Sequence, residues 1–199
     1  MNLREQFDLS DEQYGLLFDV RRSVRYHDRR RAFYEQCHHI TSLLTILMAG
    51  SVLFDLGKTG EIACWLKIIS VLAALLASLD MVIGYSKRAA THGSLRERFA
   101  ILEINMIDGS VDDAMWLQHQ RERLTIEKDE PPIYKVLDLL CRNELLEAEG
   151  YNRKDAPELF FSATPLQQFS SQLFRWENAN TTPGKLCDGK DKSPSCVVR

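Results

Sequence analysis

The sequence predicts an all-α membrane protein, a two-helix transmembrane hairpin joined to long amphipathic cytosolic helices that form a small helical bundle. Three observations predict it. Residues 62–85, IACWLKIISVLAALLASLDMVIGY, are 24 in number, and as a helix they would extend about 36 Å, enough to cross a bilayer core. Residues 40–56, ITSLLTILMAGSVLFDL, form a second apolar run, and only Gly57-Lys58-Thr59-Gly60-Glu61 separates the two. The flanks are polar, with apolar residues recurring every three or four positions and no strand-like alternation.

Composition narrows the function classes. The 199 residues are 45% hydrophobic and 27% charged, an ordinary balance that hides the concentration of apolar residues between 40 and 85. The net charge of −3 divides into 0 for residues 1–39, +2 for 40–100 and −5 for 101–199. No domain carries the basic face that nucleic-acid binding requires, so no nucleic-acid partner is expected. Cys37, Cys64, Cys141, Cys187 and Cys196 show neither CxxC pairing nor zinc-ligand spacing and are read as free thiols in a reducing compartment. Residues 1–39 hold seven arginines, seven acids and no apolar run, which predicts no cleavable signal peptide and membrane insertion through an internal segment.

The first element is a cytosolic N-terminal arm over residues 1–39. Ser10 with Gln13 three residues on fits a capping box, with Leu9 and Tyr14 as a hydrophobic staple. A helix starting there runs through Leu17, Val20 and Val24 toward Gly50, so arm and first apolar run can form one rod. Arg21, Arg22, Arg25, Arg29, Arg30 and Arg31 sit on it just before the apolar residues. Two readings stand for this cluster, a solvated helix face and, with Lys87 and Arg88 beyond the second run, an anchor on anionic headgroups.

The hairpin occupies 40–85, with spans at 40–56 and 62–85. The first would be about 25 Å long, slightly short of a core near 30 Å. Lys and Arg number six in residues 20–39 and four in 86–100, against Lys58 alone in the turn, which predicts a multi-pass protein with both termini cytoplasmic. Asp80 within the second span must face protein or water. Ala73, Ala77 and Gly84 share its face, and Ser42, Thr45 and Ala49 make a matching small-residue stripe on the first span. A hydrogen bond from Thr45 to Asp80 is expected, while Val71, Leu75 and Val82 should meet lipid. Lys67 either pairs with Asp55 or carries its amine out to the headgroups.

Residues 86–150 are predicted as a cytosolic helical region. Leu95, Phe99, Leu102 and Met106 mark one amphipathic helix, broken at Gly109 and Ser110. Trp116, Leu117 and Leu124 mark the next, and the Asp129-Glu130-Pro131-Pro132 step starts a third through Ile133, Val136, Leu137 and Leu140, with Gly150 as its stop. Residues 151–199 read as a polar, largely disordered tail with one short helix near Leu166–Trp176. No phosphate-binding loop, nucleophile elbow or HExxH motif is present, and the five histidines are scattered. The expectation is therefore no enzyme, with no catalytic, cofactor-binding or metal residue.

Three stretches, RYHDRRRAFYEQCHHITSLL at 25–44, SLDMVIGYSKRAATHGSLRERF at 78–99 and EPPIYKVLDLLCRNE at 130–144, together resemble the SLATT family of bacterial two-helix membrane modules. The resemblance covers about residues 20–150. It implies association with nucleotide-generating and nucleotide-sensing conflict systems, where such modules are proposed to form pores when phage infection is sensed. It brings no catalytic residue, and Asp80 is the membrane-embedded position it carries over. Because no sensor domain is recognisable in this chain, the trigger would have to come from a sensor or nucleotide-signalling partner protein or through the cytosolic helices. The expected function is that of an inner-membrane, pore-forming or membrane-perturbing homo-oligomeric effector in the lipid bilayer. The alternative is a non-lytic membrane scaffold that recruits cytosolic partners through its helices. A soluble bundle is disfavoured, since the singly amphipathic flanking helices would not sheathe two nearly all-apolar ones.

Overall fold

The computed structural model describes residues 9–59, 64–108 and 113–176, with the side chains of 53–59 and 113 excepted. All regular structure in these residues is helical. In order they are α1 (Asp11–Thr59), α2 (Cys64–Ile83), α3 (Tyr85–Asp108), α4 (Asp113–Glu127), α5 (Lys135–Ala148), a 3₁₀ turn (Pro157–Leu159) and α6 (Pro165–Ser170).

α1 begins where the capping box predicts it. Gln13 N–H donates to Ser10 Oγ at 3.3 Å, Ser10 N–H donates to Gln13 Oε1 at 3.0 Å, and Leu9 is buried beside Tyr14. The helix does not stop at 56: it continues through Gly57 and Lys58 to Thr59. A helical glycine costs only about 1 kcal/mol, too little to impose the expected turn. Residues 60–63 lie outside the described residues.

The chain forms two compact units. The first contains residues up to His27 and from Leu95 onward, the second Asp28–Ser94. The core of the first joins Leu17 and Val20 of α1, Leu95, Phe99, Leu102 and Met106 of α3, and Trp116 and Ile126 of α4. Phe99 and Leu102 are fully enclosed, as their 4-3-4 spacing requires of a helix stripe facing a core. α4 runs through Trp116, Leu117 and Leu124 as expected. Trp116, His119 and Ile126 point inward, while Leu117 and Leu124 are exposed, because 116, 119 and 126 follow the 3.6-residue turn and 117 and 124 lie on another face.

The Pro-Pro step does not start α5. Pro131 and Pro132 are non-helical, Tyr134 is the N-cap residue, and its N–H is held by Tyr26 Oη at 3.0 Å. Gly150, at φ 94°, ends the helix in a Schellman arrangement, with Gly150 N–H on Glu147 O at 3.1 Å and Tyr151 N–H on Leu146 O at 3.0 Å. Residues 151–176, expected to begin a polar tail, are held on α5. Asn143 bonds Phe161 in both directions, at 2.7 and 3.0 Å, Phe160 is buried, and Thr164 with Gln167 makes a second capping box. Residues 177–199, with Cys187 and Cys196, lie outside the described residues.

In the second unit, α1 and α2–α3 run antiparallel. Arg31 passes Gly93, Tyr34 stacks on His92 and meets Tyr85, and His38 reaches Asp80. Gly84, at φ 65°, joins α2 to α3. It lets Gly84 N–H bond Asp80 O at 2.8 Å and Arg88 N–H bond Gly84 O at 3.0 Å, so backbone hydrogen bonding carries across the joint from α2 into α3. Among the described residues, this run is the one helix long and apolar enough to cross a membrane.

Candidate functional site

The least exposed residues of α2 are Leu66, Ile69, Ala73, Leu76, Asp80 and Ile83. Their 3-4-3-4-3 spacing is the seam of two closely packed helices, and Asp80 occupies a seam position. The opposing seam of α1 contains His38, Thr41, Thr45 and Met48, all half-buried. Val71, Leu75 and Val82 point away from the seam and are 59%, 55% and 83% exposed. Met81 at 87% and the exposed Ile40, Leu43, Leu44, Ile46 and Leu47 of α1 extend this outward apolar surface.

At the Asp80 level the seam opens into a crevice of about 300 Å³ lined by Thr41, Ser42, Thr45, Ile46, Ala77 and Asp80. Asp80 does not bond Thr45. His38 Nδ1 lies 3.0 Å from Asp80 Oδ2, while Thr45 Oγ1 donates to the Thr41 carbonyl at 2.8 Å. The physical reason is helix chemistry: a threonine hydroxyl reaches its own i−4 carbonyl without any cost of alignment, whereas the carboxylate takes the imidazole.

One turn along, Tyr34 is packed between cations and rings. Arg30 stands 4.6 Å and Arg88 5.9 Å from its ring centroid, His92 stacks at 5.7 Å, and the Arg30 guanidinium also donates to Tyr34 Oη. Arg30 is 1% exposed. Arg88 Nε donates to the Ile83 carbonyl at 2.9 Å, satisfying an acceptor left open at the end of α2.

Of the residues expected to matter, Asp80, Thr45, Ser42 and Ala77 meet at the crevice. Ala73 is buried two turns away, Ala49 is exposed, and Gly84 forms the joint. Lys67 is exposed, and the side chain of its expected partner Asp55 lies outside the described residues. The basic residues are divided. Arg21 pairs with Glu103 at 3.1 Å and Glu149 at 2.8 Å, and Arg22 with Asp19 at 3.2 Å and Asp138 at 3.1 Å. Arg31 pairs with Glu35, Arg25 and Arg29 are half-buried, and Lys87 and Arg88 are exposed. His38 and Thr41 are the residues sequence reasoning missed. Their signal was spacing, since His38, Thr41 and Thr45 lie three and four residues apart on one helix face.

No protein-family model matches this sequence, and no curated protein or solved structure is similar to it.

Among the described residues, no group of three or more His, Cys, Asp and Glu side chains could hold a metal ion, and Cys37, Cys64 and Cys141 are free thiols. What the crevice brings together is one carboxylate with an imidazole partner, three hydroxyl side chains and an apolar rim. That arrangement can bind, solvate or relay a charge beside an apolar surface.

Proposed function

We propose that this chain is a two-span inner-membrane protein, with spans at 40–56 and 62–85 and both termini cytoplasmic, that acts as a membrane-perturbing or pore-forming effector in a bacterial conflict system. The observation that carries this reading is the combination in one helix pair of an outward apolar face with an inward polar crevice at Asp80. Large side chains such as Met81 and Val82, 87% and 83% exposed, would form a continuous apolar patch in water, whereas lipid accommodates them without cost. A half-buried carboxylate beside such a surface is a functional position by default. Several copies with their crevices facing inward would gather Asp80, Thr45 and Ser42 around a polar path. Activation would come from a sensor or nucleotide-signalling partner protein.

Induced expression is then expected to collapse the membrane potential, read with a potential-sensitive dye, and Asp80→Leu to blunt that collapse. Undiminished collapse by the variant would overturn the role of Asp80, and extraction of the chain by carbonate would overturn the membrane reading itself.

A non-lytic scaffold is the second reading, favoured by Leu117 and Leu124. Both are exposed and lie seven residues apart on one face of α4, as a partner helix would require. Harmless overexpression and one stable partner in a pull-down would select it.

A further inference from the structure

We infer that the crevice beside Asp80 is a binding site for a monovalent alkali cation. Its threonine hydroxyl protons are directed into the helix backbone. Thr41 Oγ1 donates within α1, 2.9 Å from the Cys37 carbonyl and 3.0 Å from that of His38. Thr45 Oγ1 donates to the Thr41 carbonyl at 2.8 Å. A hydroxyl has one proton and two lone pairs, so both threonines, with their protons committed to the helix backbone, offer only acceptor oxygen to any ligand. Asp80 adds a carboxylate whose Oδ2 is already matched by His38 Nδ1, and Ser42 adds a third hydroxyl on the crevice wall.

Such a lining repels anions, which need donors, and attracts cations. Its ligands are hard oxygens, the set suited to alkali and alkaline-earth ions rather than to soft transition metals. One carboxylate with hydroxyls falls short of the several carboxylate and carbonyl oxygens that a calcium site assembles, which leaves a singly charged ion. The volume of about 300 Å³ far exceeds the ~10–15 Å³ of such space that a single water needs. A sodium or potassium ion fits there with part of its hydration shell, and Ile46 and Ala77 complete the lining. The inference rests on the preceding reading in setting the crevice at the membrane and gives an assembly built from it a preference for cations. Binding itself needs no pore.

The test is thermal unfolding of the full chain in detergent, titrated with NaCl and separately with KCl against choline chloride at constant ionic strength. Ligand at concentration c that binds the folded state stabilises it by RT ln(1 + c/Kd), so the midpoint begins to rise near Kd and then climbs logarithmically with concentration. The expected result is a logarithmic rise with sodium, potassium or both over choline, lost in Asp80→Asn. Thr45→Val, close to isosteric, should move the concentration at which the rise begins about tenfold upward. Identical midpoints in the three salts, or an onset of the rise unmoved by Thr45→Val, would overturn the site. Should Asp80→Asn not fold, Ser42→Ala with Thr45→Val decides the matter. A chain that binds the cation yet leaves the potential of induced cells intact refutes the effector reading and not the site. Potential collapse without any cation-dependent midpoint refutes the site and not the effector.

Discussion

His38 and Asp80, separated by 42 residues in sequence, meet with Nδ1 3.0 Å from Oδ2. The contact joins α1 to α2 at the level where the apolar surface begins, and it gives the one acid of the α2 seam a partner. His38→Ala leaves a half-buried carboxylate without that partner and is expected to cost about 1–3 kcal/mol. The double variant His38→Ala, Asp80→Leu should recover much of this loss, giving a coupling energy of at least about 0.5 kcal/mol in a thermal-unfolding cycle. Strict additivity would deny the contact any energetic weight.

Two glycines should respond to alanine with opposite signs. At Gly84 a Cβ would meet only the Lys87 Cβ at 3.9 Å, so space is not limiting, but φ is 65°. Gly84→Ala is expected to destabilise by about 1 kcal/mol through backbone strain. Gly50 is helical with nothing within 4 Å of an added Cβ, and Gly50→Ala should stabilise by about 0.5–1 kcal/mol. Unfolding midpoints of the two variants, moving in the same direction, would contradict the joint assigned to Gly84.

The arginines of α1 should differ sharply in weight. Glu149 has a side chain only 4% exposed and takes Arg21 at 2.8 Å together with the Tyr14 hydroxyl. Arg21→Ala strands that carboxylate and should cost about 3 kcal/mol. Arg31 pairs with Glu35 one turn along the same helix, both more than 40% exposed, and Arg31→Ala should leave the midpoint nearly unmoved. Denaturant midpoints measure both. A flotation assay with anionic vesicles should likewise be insensitive to Arg21, whose charge is engaged by acids.

Two carboxylates should shape the acid limb of stability in opposite senses. Burial raises Asp138 above the ordinary carboxylate range against the attraction of Arg22. The folded state therefore holds its proton more tightly, and stability declines as pH rises from about 3.9 through the raised value. The hydrogen bond from Arg98 lowers Asp129, which contributes stability above about pH 3.9 that is lost as pH falls through the depressed value. Asp138→Asn should remove the first dependence and Asp129→Asn the second. The reverse assignment in pH-resolved unfolding would contradict both environments.

The Tyr14 hydroxyl is raised by burial and by its bond to Glu149. Its contribution is complete below about pH 10 and is lost only at higher pH. Tyr14→Phe should thus cost about 1 kcal/mol at neutral pH and flatten the alkaline limb, as monitored by tyrosine absorbance and unfolding together.

Much of the helical content was legible in the sequence because its determinants are local. The Ser10–Gln13 cap, the Leu95-Phe99-Leu102-Met106 stripe and the Gly150 stop each involve residues within one or two turns, where three-residue and four-residue spacing maps directly onto geometry. The same reasoning failed where a distant group intervened. Tyr26, whose hydroxyl holds the Tyr134 N–H, sets the start of α5 that Pro131 and Pro132 were expected to set. Ala49 and Thr45 satisfy the same small-residue rule, yet one is exposed and the other lines the crevice, because a stripe does not state its own rotation about the helix axis.

By itself the sequence determined that the chain is helical, that 62–85 can cross a bilayer, and that Asp80 must be compensated. Tertiary structure alone decided by what. Asp80 takes His38 rather than Thr45, and Arg21 takes Glu149 rather than solvent, through contacts that close over 42 and 128 residues. Spacing along a helix defines which side chains share a face, but the register and rotation that bring two faces together come from packing the whole seam at once, and no local pattern encodes them.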